Sequence, residues 1–72
     1  MSASDLQSYV RAAADAAGVP VEMITGRCRF VAAERMHAMA EAYRAGHSAQ
    51  KIGYAFQRDR TTVMHAYRRR YG

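Results

Sequence analysis

The sequence holds one cysteine, one proline and no apolar run free of charge for more than a few positions. A lone thiol, Cys28, cannot form an internal disulfide. It has no second cysteine with which to complete a zinc site beside His37, His47 and His65, whose spacing fits no ligand pattern. A bilayer span needs about 18 apolar residues in succession and none exists here; nor does a secretory leader pattern precede the first element. These absences predict a chain of the reducing cytoplasm, acting at the nucleoid, with no membrane partner, no metal and no cofactor. Paired carboxylates on one element, a nucleophile spaced from a base, and a metal set are all missing, so no enzyme is expected. No strand alternation, repeat or low-complexity stretch is present either.

What the sequence does contain is positive charge, and it is unevenly placed. The formal net charge is +5 over 72 residues. Before Gly26, Arg11 stands against Asp5, Asp15 and Glu22, a balance of −2. Beyond it, ten lysines and arginines face Glu34, Glu41 and Asp59, a balance of +7. A surface meant for a polyanion requires such a division. Half the residues are hydrophobic, as in a folded helical chain. At this length one domain over residues 1–72 is expected, with a core worth no more than about 3–5 kcal/mol net.

Helical spacing organises the chain. Ser4 followed by Gln7 makes a capping-box pattern, after which Leu6, Tyr9, Val10, Ala13 and Ala17 recur on one face until Gly18-Val19-Pro20. Val21 to Thr25 predicts a short turn of helix, and Arg27-Cys28-Arg29 a basic loop. Phe30 to Ala45, free of glycine and proline, predicts the longest helix, with Ala32, Met36, Met39, Ala40 and Tyr43 as its apolar stripe. Gly46 ends it. Ser48 is a good N-cap for a helix through Ile52, Ala55 and Phe56, and Gln57-Arg58 forms a turn. Asp59 either caps the next helix or accepts a hydrogen bond from a cytosine amine; Val63, Ala66 and Tyr67 share one side of that helix. Gly53, costly in mid-helix, predicts close packing against a neighbouring helix. Tyr54, Tyr67 and Tyr71 are expected to pack. The fold class is all-α, a small bundle of four to five helices.

Two short helices across a tight turn, spanning 48–70, form the arrangement of a DNA-binding helix-turn-helix. Arg60, Thr61 and Thr62 then stand where side chains reach base edges, with His65 and Arg69 continuing the exposed side. Arginine can bond guanine bidentately, and threonine offers a hydroxyl for phosphate and a methyl for thymine.

Arg27-Cys28-Arg29, Ala32-Ala33-Glu34-Arg35-Met36, Ile52-Gly53-Tyr54-Ala55-Phe56 and Arg58-Asp59-Arg60-Thr61-Thr62-Val63-Met64-His65-Ala66 resemble the C-terminal DNA-binding domain of the bacterial replication initiator DnaA. The resemblance covers almost the whole chain. It implies a Trp-repressor-like helical fold that binds a short asymmetric duplex site, the DnaA box, as a monomer. It further implies that Arg58, Asp59, Thr61 and Thr62 belong to a major-groove contact set, with Arg60 adjoining, and that Arg27 in the basic loop enters the minor groove. Arg29 belongs to the same loop. Arg35 would lie near the DNA backbone or support that loop, and Lys51 and Arg69 would meet phosphates. Independently of the resemblance, His65 on the exposed side reads as a phosphate neighbour and not as a metal ligand.

Two departures stand out. The family has histidine where this chain has Arg60, and a glycine pair where only Gln57 stands. The 72 residues also contain no phosphate-cradling loop of the G-x-x-x-x-G-K-[ST] type. A sequence-specific duplex-binding module is therefore expected, serving as a transcription regulator. The alternatives are a replication-related binder or competitor at the DnaA box, and a helical protein-interaction adaptor. Partners implied are double-stranded DNA and, through it, the transcription or replication machinery.

Overall fold

The computed structural model describes residues 3–72. Helix α1 runs Ala3–Ala17, α2 Val21–Thr25, α3 Ala32–Arg44, α4 Ala49–Phe56 and α5 Arg60–Tyr71, with a 3-10 turn at Arg29–Val31 between α2 and α3. The described residues are all-α, as the periodicity predicts. The Ser4 side chain, given a capping role above, lies outside the described residues.

Helix α3 is the central element, laid against α1 on one side and α5 on the other, with α4 closing the bundle. The interior is made by Val10, Ile24, Val31, Met39, Ile52, Phe56 and Val63, each essentially without solvent contact. Leu6, Val10 and Ala13 of the first stripe are buried, with Tyr9 and Ala17 packed at its edge. No helix of the described residues is long and apolar enough to cross a membrane.

One expectation of length fails. The longest helix is α1, with 15 residues against 13 for α3, because Phe30 and Val31 belong to the 3-10 turn. The cause is a side chain. An α-helix running through Phe30 would bond the Cys28 carbonyl to the Ala32 N–H. Here Arg35 Nη2 donates to that carbonyl at 3.0 Å, and the Ala32 N–H turns to Arg29 O instead. The tighter turn sends Val31 inward and leaves Phe30 in solvent.

Candidate nucleic-acid interface

Helix α4 starts where predicted: Ser48 Oγ accepts from the Lys51 N–H at 3.2 Å. It ends on Gln57, whose φ of 55° and ψ of 47° are left-handed, a conformation that glycine adopts without penalty and other residues do not. The Arg58 N–H then donates to Gly53 O at 2.7 Å. Gly53 is required there, since a Cβ on it would stand 2.5 Å from Arg58 O and 3.4 Å from Arg60 N. The close packing inferred from the sequence is thus against the turn and the start of the neighbouring helix α5.

Asp59 occupies the N-cap position of α5, and its carbonyl accepts from Thr62 N at 3.0 Å and Val63 N at 3.4 Å. Its side chain makes no cap hydrogen bond and is exposed. Of the two roles left open for it, side-chain capping is not adopted, and the carboxylate remains available outward. Without a side-chain cap, the first amides of α5 stay suited to an anion.

Val63 and Ala66 bury the inner side of α5. Thr61, His65 and Arg69 follow one another at four-residue spacing on the exposed side, with Arg60 also exposed and Thr62 half-buried. The far end of the helix is pinned to α3. Arg70 Nε donates to Glu41 Oε2 at 2.8 Å, the Tyr71 hydroxyl donates to the same oxygen, and Tyr67 meets Tyr43 edge-on at 4.9 Å. These donors, Tyr71 first and Arg70 second, hold the Glu41 carboxyl below its usual pKa. Within the basic run, Arg70 is therefore occupied internally, whereas Arg68 and Arg69 face solvent.

The basic loop is held from inside. Arg35 is 6% exposed. Its guanidinium donates from Nε to Ile24 O at 2.7 Å, and from Nη2 to Cys28 O at 3.0 Å, Gly26 O at 3.1 Å and Met23 O at 3.3 Å. Burial, and then the nearby Arg58 cation, lower its pKa, though a guanidinium stays charged at working pH. Arg35 is not brought to the surface shared by the other candidate residues; of its two implied roles, the geometry matches loop support.

Arg58, half-buried, donates from Nη2 to Gly26 O and from Nη1 to Gln57 O at 3.1 Å. A single loop carbonyl, that of Gly26, thus receives both Arg35 and Arg58. The loop before α3 and the turn before α5 become neighbours through it, with Arg27 and Arg29 exposed on the loop. Lys51 is exposed on α4.

Two residues, Tyr54 and Phe30, stand elsewhere than the sequence suggests. Tyr54 is 74% exposed instead of packed, and with Gln50, Arg58, Asp59 and Arg60 it lines a shallow cleft beside the start of α5. The signal was present. Ile52 and Phe56 bury one side of α4, and position 54 lies about 200° around the helix from 52. The second is Phe30, expected inside the longest helix and found 94% exposed beside Arg29.

Comparison with known families gives one match. The bacterial dnaA protein helix-turn-helix family matches over residues 6–69. No curated protein and no solved structure matches the chain.

Proposed function

The chain belongs to the bacterial DnaA helix-turn-helix family, and on that premise we propose that it binds a specific sequence of duplex DNA at two points. The first turn of α5 enters the major groove, and Arg27 enters the adjoining minor groove. Family membership makes DNA the partner. The single observation that carries the two-point reading is the shared Gly26 carbonyl, which sets the Arg27 loop beside the turn that begins the exposed Arg60–Thr61 segment.

In this reading Arg60, Thr61, Thr62 and Asp59 face base edges, the arginine suited to guanine and the carboxylate to a cytosine amine. Lys51, His65 and Arg69 lie against phosphates and fix the register without reading sequence. Arg29 adds to the field around Arg27, which a narrow, electronegative minor groove attracts. Tyr54 and Gln50 flank the entry of α5, where their polar ends reach the backbone. Acting at the nucleoid, such a module serves transcription: arginine in place of the family's histidine at position 60 favours a site other than the initiator's. Retention of Arg58-Asp59 and Thr61-Thr62-Val63 favours the second reading, competition at the DnaA box itself.

Selection of bound duplexes from a random pool at physiological salt tests both. One enriched sequence is expected; Arg60→Ala relaxes preference at one base pair and costs about 1–3 kcal/mol. Roughly five phosphate contacts give a log–log salt slope of about −4 to −5. An enriched sequence equal to the initiator's box selects the second reading. No enrichment refutes specific binding, and salt-independent binding points to an adaptor.

A further inference from the structure

Phe30 is the most exposed large apolar side chain of the described residues, at 94%, yet its backbone is firmly held. Val31 next to it is buried in the core, and Arg35 grips the carbonyls of Gly26 and Cys28 just before it. A ring carried on fixed backbone into water is placed, not loose. Its surroundings narrow the occupant. Arg27 and Arg29, both exposed, precede it within three residues, and Arg58 reaches the same loop. An apolar protein pocket would have to receive these cations along with the ring. A nucleic-acid groove offers both chemistries at once, with phosphates at the rim for the guanidinium groups and sugars and base faces within for the ring. Apolar side chains inserted at a base step, accompanied by arginine, are how minor-groove proteins unstack and bend a duplex.

Building on the minor-groove placement of Arg27, we propose that Phe30 is a wedge. Its ring enters the minor groove beside Arg27, rests on one base step and partly unstacks it, bending the duplex toward the major groove. Pyrimidine–purine steps yield most readily, so Phe30 makes the protein sensitive to sequence at a position where it forms no hydrogen bond.

The probe is the duplex enriched by selection, with 2-aminopurine replacing each adenine of the minor-groove half in turn. Binding of the unaltered protein raises the fluorescence of 2-aminopurine at one position and shortens the distance between end-attached dyes. Phe30→Ala abolishes both responses and weakens binding by about tenfold, the scale of one lost aromatic–base stack. Its salt slope is unchanged, whereas Arg27→Ala reduces the slope by about 1. Thermal unfolding is also unchanged, because the ring contributes nothing to the core. Phe30→Leu, still a wedge, retains the bend. The proposal is overturned if Phe30→Ala binds the enriched duplex as tightly as the unaltered protein, or if no 2-aminopurine position responds. Failure of the pool to enrich any duplex is a different result, which removes the two-point reading and the wedge with it.

Discussion

Replacing Arg35 probes the dependence of the interface on one buried cation. The guanidinium makes a buried bond at 2.7 Å to Ile24 O and three part-buried bonds to Met23, Gly26 and Cys28. A hydrogen bond involving a charged group contributes about 1.5–3 kcal/mol. The buried bond counts near that range; the others count for less, since water can reach part of each vacated carbonyl. Arg35→Met then loses about 3–5 kcal/mol, from one buried and three part-buried charge-assisted bonds whose carbonyl acceptors are left without that donor. The whole domain has only about 3–5 kcal/mol to lose. Arg35→Met is therefore expected to be largely unfolded at room temperature by far-UV circular dichroism. Arg35→Lys keeps the charge but replaces a rigid fork with three donors on a point charge, which cannot serve four carbonyls. It is expected to fold with about 1–2 kcal/mol less stability, and to melt about 4–8 °C lower for each kcal/mol lost. Its amides over residues 26–29 should exchange faster than those of α3. If Arg35→Met melts at the wild-type temperature, the guanidinium does not hold the loop.

Three other substitutions test separate parts of the framework. Gly53→Ala gains up to about 1 kcal/mol of helix propensity but pays overpacking of about 1–3 kcal/mol. The obstructing Arg58 oxygen is backbone and cannot swing aside, so urea titration should show a net loss, and a stabilised variant would contradict the close approach. Gln57→Gly relieves a left-handed strain of about 1–2 kcal/mol against a chain-entropy cost of about 0.5–1 kcal/mol; a rise in Tm is expected, and a fall would mean the strain is absent. Glu41, held below its ordinary pKa of 4.5 by Tyr71 and Arg70, contributes stability that is present above that value and is lost as pH falls through the lowered folded pKa. Melting followed downward from pH 5 should show a smaller loss for Glu41→Gln than for the unaltered protein; parallel curves would rule out the contribution.

How far the sequence could be read depends on the range of the interaction concerned. Leu6, Val10, Ala13, Met39, Ile52, Phe56 and Val63 announce their burial by spacing along single helices, and Ser48 announces a cap within three residues. Such signals are local. The boundary of α3 is not, because it is set by Arg35 reaching back to carbonyls 7 to 12 residues earlier, and nothing in the apolar pattern around Phe30 records that. Tyr54 was legible from the helical angle separating it from Ile52, but the lack of a strand platform to present tyrosines to bases pointed the other way. Asp59 stands at the right position for a cap, yet which way its carboxylate turns is a rotamer matter that residue type cannot decide. The candidate contacts on α5 follow from position in a known pattern. The brace behind them, Arg35 to Gly26 to Arg58, emerges only when residues far apart in sequence are seen meeting one carbonyl.

That brace leaves Arg58 with two possible duties that predict different things. As a phosphate or base contact it would act from the surface, and its removal would lower the salt slope by about 1. As a strut to Gly26 O it would act by keeping the Arg27 loop and the α5 turn in fixed relation, so that neither has to be ordered when DNA binds. Ordering costs of about 0.5–1.5 kcal/mol per immobilised side chain are then met in the free protein instead of at the interface. Its half-buried position and its two backbone acceptors favour the strut. Arg58→Ala is accordingly expected to leave the salt slope near its original value, to raise amide exchange over 26–29, and to weaken binding through a loosened loop. In that variant the further loss caused by Arg27→Ala should be smaller than in the unaltered protein, because an arginine on an unfixed loop contributes less. If the losses from Arg58→Ala and Arg27→Ala simply add, with the salt slope falling by about 1 for each, Arg58 touches DNA directly and the two attachment points are independent.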